Sequence, residues 1–226
     1  MGIRKVDIAG KREKKTRRDD ILAELKRRIT YLEYQPGVLL NEQRISNEFN
    51  VSRTPIREIF SKLEKHDLVT IVPHVGTFVA PIDVRIVKYA YEIRKPLDCL
   101  AAKLAAIRAS EEEIKVLQAI VERIKAYDIV RNYVECINDD QLFHKTVRRA
   151  SKNPLLERVL DDLYAKIERF LLHIQYKIKN IQWYSRSLDE MLKAIRNHEA
   201  EAAGREAEKH TDFFIDELSK TFLGEI

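Results

Sequence analysis

The sequence predicts a mainly α chain in two parts: three helices with a small β-hairpin, then an all-α helical bundle that runs almost to the last residue. Three observations carry this expectation. Apolar residues recur at helical spacing along most of the 226 residues, of which 45% are apolar and only 6 are Gly and 6 Pro. The period changes to extended in "LVTIVPHVGTFVAP", where β-branched residues flank a Pro-His-Val-Gly break. Charge divides unevenly: residues 1–80 hold 16 Lys/Arg against 11 Asp/Glu, and the chain totals of 41 and 36 leave 25 of each for residues 81–226.

Residues 1–16 read as a flexible basic tail, since residues 1–18 alone carry eight Lys/Arg against two acids. In "RDDILAELKRRITYLEY", Ile21, Leu22, Leu25, Ile29 and Leu32 make a first helix, which Pro36-Gly37 ends. Asn41 is a good N-cap for a short second helix through Ile45 to Phe49, and Ser52 is placed to cap a third. Pro55 suits the first turn of that helix, and Ile56, Ile59, Phe60 and Leu63 form its apolar stripe. Helix, short helix, helix, hairpin is the order of a winged helix-turn-helix, here residues 17–80.

Beyond Pro81 the period is helical again. Ser110 with Glu113 forms a capping box, and a second box, Ser187 with Glu190, is expected to open the penultimate helix. Leu156, Val159, Leu163, Ile167, Phe170 and Ile174 are expected on one face of an intervening helix. Residues 81–226 thus form a bundle of six or seven helices. No apolar run of 18 residues and no apolar leader segment is evident, which points to a cytoplasmic protein with no membrane partner. Cys99 and Cys136, isolated in helical context, read as reduced core residues.

In a winged helix-turn-helix the third helix enters the major groove of double-stranded DNA. Arg53 and Arg57 fall outside the apolar stripe, and guanidinium groups bind guanine or phosphate in bidentate fashion. Ser52 and Thr54 add donors at the helix N-terminus. Gln43 and Arg44 on the preceding helix are further candidates. His74 and Gly76 sit at the hairpin tip, where His74 is either a minor-groove contact or a solvated turn residue. In the second part, Asp140 and His144 stand at i and i+4, so one helix face presents both to a metal or to each other.

The string "PGVLLNEQRISNEFNVSRTPIREIFSKLEKHDLVTIVPHVGTFV" closely resembles the DNA-binding domain of the GntR family of bacterial transcription regulators. That family usually has glycine where Asn50 and Asp67 stand, a change turn chemistry tolerates. "YEIRKPLDCLAAKLAA" and "DQLFHKTVRRASKNPLL" resemble helices of the FCD ligand-binding domain of the FadR-type subfamily. This resemblance implies a repressor that binds a near-palindromic operator as a homodimer and responds to a small-molecule effector, a carboxylate among the options. It implies an effector-anchoring role for Arg94, whose alternative is a salt bridge to Asp98. It also implies a metal role for Asp140, His144 and His210. The pattern has a fourth metal-binding histidine where this chain has Leu188, so the ligand set for zinc, nickel or manganese is incomplete. His173 and His198 stand outside that pattern, the first expected to be packed and the second at a helix end. A helical metal-binding enzyme with an incidental basic N-terminus is the alternative; the Glu-x-x-His pairs of di-metal bundles, a nucleophile elbow and a phosphate-binding glycine loop are all absent, so no enzyme is expected.

Overall fold

A computed structural model of the chain describes residues 17–128, 131–175 and 181–222. The basic tail, residues 1–16, lies outside them. The chain divides into two compact units: Gly37–Ala80 with the chain up to Arg28, and Pro81 onward with Ile29–Pro36.

In the first unit, α1 (Arg17–Thr30), α2 (Glu42–Glu48) and α3 (Arg53–Lys65) bury Ile21, Leu25, Ile45, Ile56, Ile59, Phe60 and Leu63. These are the residues that helical spacing places on the inner faces. Asn41 caps α2, its side chain accepting from the Arg44 amide. Ser52 occupies the N-cap of α3 but makes no side-chain capping bond, contrary to expectation. The turn positions Asn50 and Asp67 have φ of 49° and 56°. Left-handed backbone favours glycine, and Asn and Asp are the side chains that tolerate it best, which accounts for both departures from the GntR pattern.

The hairpin of β2 (Val69–Val72) and β3 (Gly76–Val79) is joined by a strand that sequence reasoning missed, β1 (Leu39–Leu40). The sheet is antiparallel in the order β1-β3-β2, with Leu39 opposite Phe78 and Val72 opposite Gly76. His74 at the tip has φ of 63°. Gly76 has φ of +152°, and a Cβ built on it would lie 2.6 Å from Leu39 Cδ1. Backbone conformation therefore favours glycine there, and any side chain would also have to push the tip of Leu39 aside.

The second unit is built from α4 (Val84–Arg108), α5 (Glu111–Lys125), α6 (Tyr133–Ala150), α7 (Pro154–His173), α8 (Ile181–Arg196) and α9 (Ala200–Phe222). The Ser110–Glu113 capping box is formed. Ala101, Ala102, Ala105 and Ala106 of α4, with Ala203 and Ala207 of α9, are all buried, so two long helices pack through small side chains. Lys95 with Asp212 and Lys103 with Glu201 tie the same pair across its edge. Cys136 is buried and Cys99 half-buried, and both are free thiols.

Three expectations are corrected. The helix expected to open at Ser187 begins at Ile181, and Ser187 lies inside it, bonded to other helical groups. On α7 the buried positions are Leu156, Leu160, Tyr164, Ile167, Arg169, Phe170, Leu171 and Leu172, while Val159 is exposed and Leu163 half-buried. The true stripe is rotated, with Leu160 and Tyr164 packed inward. His173 is exposed.

Gly76→Ala is expected to destabilise the first unit by about 1–3 kcal/mol, the range for a side chain forced into glycine-only backbone. Denaturant titration checks this, and adding Leu39→Ala should recover only the part due to the clash.

Candidate nucleic-acid interface and candidate effector site

The first unit brings five of its candidate residues to one groove. Gln43, Arg44, Ser52, Arg53, Thr54, Arg57 and His74 are all exposed, and Gly76 is half-buried beneath the tip. Gln43, Arg53, Arg57, His74 and Gly76 line a groove of about 610 Å³. Arg53 Nε donates to Gln43 Oε1 at 2.7 Å and its Nη2 donates to the same oxygen, while Gln43 Nε2 donates to Asn47 Oδ1 at 2.7 Å. Arg57 Nε donates to both oxygens of Glu42, at 3.1 and 2.9 Å. The two arginines are thus aimed by side chains of α2 while their heads stay in water. Asn47, the end of the Arg53–Gln43–Asn47 chain, was not singled out by sequence; only its i+4 spacing from Gln43 signals it.

At the start of α3 the first backbone N–H groups have no capping side chain, and Ser52, Arg53 and Thr54 there are exposed. Such groups, with the positive end of the helix dipole, form a ready site for a phosphate. The conformation of His74 has its own explanation, since histidine is among the residues enriched at positive φ.

The second unit gathers Asp140, His144 and His210 in its interior, all three buried, with donor atoms within 4.8 Å of one another. Asp140 and His144 come from adjacent turns of α6, and His210 comes from α9. His144 Nε2 lies 3.2 Å from Asp140 Oδ1 and 3.2 Å from His210 Nε2, and the last two atoms are 3.8 Å apart. Ligand atoms around one tetrahedral ion at ~2.1 Å stand roughly 3.4 Å apart, so the spacing suits a shared divalent metal.

Neighbouring hydrogen bonds orient these groups. Ser187 Oγ donates its one proton to the Tyr184 carbonyl at 2.7 Å, so its 2.8 Å contact with His210 Nδ1 has the histidine as donor. His210 therefore holds its proton on Nδ1 and turns the Nε2 lone pair toward His144 and Asp140. Burial, with the nearby His144, pushes the His210 pKa down to about 3, so the ring is neutral at pH 7. Asp140 is held well below the usual carboxylate range: burial opposes its charge, but His144, His210 and Arg94 outweigh it. The Tyr184 hydroxyl, kept protonated by burial, donates to Asp140 Oδ1 at 2.6 Å. Leu188, fully buried, offers no ligand atom at the fourth position of the family pattern.

Arg94 is buried and forms the expected alternative contact, with Nε donating to Asp98 Oδ2 at 2.6 Å. Tyr164 Oη lies 3.0 Å from both Asp98 oxygens, and the Arg94 and Arg148 guanidinium carbons lie 3.9 and 4.1 Å from the Tyr164 ring centroid. The same ring lies 5.2 Å from that of His144, which joins the two clusters. Arg148, buried, donates through Nε and Nη2 to Asp161, and its buried Nη1 has no partner among the described residues. Sequence reasoning missed Tyr164, Tyr184, Ser187 and Arg148. For Arg148 a signal existed, since Asp140, His144 and Arg148 follow one helix face at i, i+4 and i+8.

A winged helix and an all-helical unit with a buried polar cluster together make the architecture of a DNA-binding regulator. Among described residues, no helix is long and apolar enough to cross a membrane. The pattern of the bacterial regulatory proteins of the gntR family matches residues 17–79, and that of the FCD domain matches residues 89–213. The HTH-type transcriptional repressor RspR of Escherichia coli is 25% identical over 197 residues, 87% of this chain and 85% of that protein. The transcriptional regulator YdhC of Bacillus subtilis is 33% identical over 139 residues, 61% of this chain and 62% of that one. In fold, the chain is similar to E. coli McbR/YncC, with a TM-score of 0.77 at 18% identity over 92% of this chain and 99% of the other. The chain belongs to the GntR family, carries an FCD domain, and is a transcriptional regulator rather than an enzyme.

Asp98→Ala leaves Arg94 buried and uncompensated, and should cost about 3–5 kcal/mol. Replacing both partners, with Arg94→Met and Asp98→Leu, should recover most of that loss in thermal unfolding.

Proposed function

We propose that the chain is a ligand-responsive repressor that acts in the cytoplasm as a homodimer, each winged helix meeting one half of a near-palindromic operator. The observation that supports DNA contact most directly is the exposed, uncapped start of α3, with Ser52, Arg53, Thr54 and Arg57 around it. Arg53 and Arg57 read base edges or phosphates, Gln43 and Arg44 support them from α2, and the tip at His74 and Gly76 approaches the adjacent minor groove. The basic tail adds salt-dependent affinity without sequence information.

The effector occupies the interior of the helical unit beside Arg94, Asp140, His144 and His210. A small carboxylate suits this cluster: the Arg94 guanidinium is part of it, and Arg148 Nη1 is a buried cationic donor without an acceptor among the described residues. Differential affinity for two conformations would let the effector change DNA affinity.

Asp140 Oδ1, His144 Nε2 and His210 Nε2 would hold a divalent ion such as zinc, nickel or manganese. A bound ion would supply a Lewis-acidic point able to grip a carboxylate. With Leu188 in place of a fourth ligand, occupancy should depend on water or the effector carboxylate to fill the open position. A metal-free polar pocket is the second reading, favoured by Tyr184 and Ser187, which already satisfy Asp140 and His210.

Arg53→Ala and Arg57→Ala should each weaken operator binding by about 1–3 kcal/mol at fixed salt with the fold intact. A gel-shift titration in which both variants bind like the parent would refute the DNA role of these residues. For the metal, elemental analysis of protein purified without chelator should find a divalent ion that His144→Ala and His210→Ala lose. An empty parent, with no rise in melting temperature on adding zinc, nickel or manganese, leaves the metal-free pocket standing.

A further inference from the structure

The two arginines of α3 are held from α2 by partners of different chemistry. Arg57 leans on a carboxylate, its Nε donating to both oxygens of Glu42 at 3.1 and 2.9 Å. Arg53 leans on an amide: Nε, at 2.7 Å, and Nη2 both donate to Gln43 Oε1. The difference matters because a carboxylate accepts through either oxygen, whereas an amide accepts at one end and donates at the other. Turned the wrong way round, Gln43 would set two N–H donors against a cation that can only donate.

Asn47 removes that alternative. It stands one turn beyond Gln43 on α2, and its Oδ1 accepts from Gln43 Nε2 at 2.7 Å. Since a guanidinium has no acceptor, the chain Arg53, Gln43, Asn47 runs in one direction only, each amide oxygen facing the preceding donor. All three side chains are exposed, where a single hydrogen bond competes with water and holds little by itself. A linked series with a fixed sense holds more than one pair alone.

The consequence falls on the other edge of Arg53. Of the five guanidinium N–H bonds, Gln43 takes Nε–H and the neighbouring Nη2–H. The parallel pair on Nη1 and Nη2 is left, and that end fork is the one that can meet O6 and N7 of a guanine together. Arg53 is exposed and lines the groove that also holds Arg57 and His74.

We infer that Asn47 is a positioning residue for sequence reading: through Gln43 it fixes the guanidinium of Arg53 with its side edge occupied and its end fork presented to a guanine. This role rests on the DNA contact proposed above for Arg53 and adds the residue that aims it. Asn47 touches no base in this arrangement. It acts by ordering two long side chains before DNA arrives, and each one ordered in advance gains roughly two- to tenfold in affinity. A phosphate, which can be met from many directions, benefits less from such ordering than a guanine whose two acceptors must be met at once.

Duplexes selected by the parent protein from a random pool supply the operator, and copies with each guanine in turn replaced by 7-deazaguanine lose N7 alone. Binding is titrated at fixed salt for the parent, Arg53→Ala, Asn47→Ala and Asn47→Asp, with melting curves to report folding. The parent should bind on the order of 10-fold more weakly when N7 is removed from one particular guanine, and Arg53→Ala should be indifferent to that change. At the same guanine the penalty for Asn47→Ala should fall to about 3-fold or less, with the penalties at other guanines kept. Asn47→Asp, which retains an acceptor for Gln43 Nε2, should restore most of the parent's penalty. Each penalty is a ratio within one variant, so a general change in affinity, including the effect of the added aspartate charge, cancels. If Arg53→Ala keeps every penalty, the DNA-reading role of Arg53 falls and the positioning role falls with it. If Arg53→Ala loses the penalty at one guanine while Asn47→Ala retains it in full, only the positioning role is overturned. Equal losses at all guanines in Asn47→Ala would mean a merely structural residue, and no restoration by Asn47→Asp would mean a direct contact by the Asn47 amide; either result overturns the assignment.

Discussion

The helical unit is organised around one buried ion pair, Arg94 with Asp98 on adjacent turns of α4. Two charges withdrawn from water are tolerated only when each finds further partners. Asp98 obtains the Tyr164 hydroxyl, and Arg94 lies over the rings of Tyr91 and Tyr164. That requirement fixes α7 against α4 at one level. It also sets the Tyr164 ring where His144 and Arg148 of α6 meet it, so three helices are registered by polar contacts inside an apolar core.

Such a core is not the most stable one available to these helices, because hydrophobic replacements of similar volume often match or exceed a buried ionic network. The polar groups are concentrated, however. Arg94, Asp98, Asp140, His144, Arg148, Tyr164, Tyr184, Ser187 and His210 are all buried and linked, while α4 and α9 pack through buried alanines with ion pairs only at the edge. Concentration of this kind is what a site that sets binding against stability requires, and it is the basis of the effector site proposed above. The fixed tautomer of His210 fits the same view, since it turns an unprotonated nitrogen toward the centre of the cluster.

Much of this was legible in the sequence because it is local. The apolar stripe of α3, the hairpin with its turn, the Asn41 cap and the Ser110 box all depend on residues within a few positions of one another. The pairing of Asp140 with His144 follows from helical spacing, and His210 entered only through resemblance to the FCD pattern. What was missed is non-local. β1 is two residues long and is a strand only because β3 pairs with it. Ser187 mimics a capping residue by spacing, but its partner His210 lies on another helix. Tyr184 and Arg148 meet groups whose positions no local period reveals. The α7 stripe was misjudged because Tyr164 reads as an amphipathic side chain and only the Asp98 carboxylate draws its hydroxyl inward.

The pairing of Arg57 with Glu42 bears on selectivity. Any anion approaching that guanidinium meets a carboxylate already in place at 2.9 Å, and must either displace it or share the cation with it. A loosely placed phosphate gains little from such an exchange, because the repulsion from Glu42 offsets the new attraction. A ligand that delivers several correctly placed acceptors at once, such as two guanine acceptors together with a neighbouring phosphate, recovers the loss. An acidic residue behind a recognition arginine thus lowers the baseline for every polyanion and widens the gap between a cognate site and the surrounding excess of similar charge.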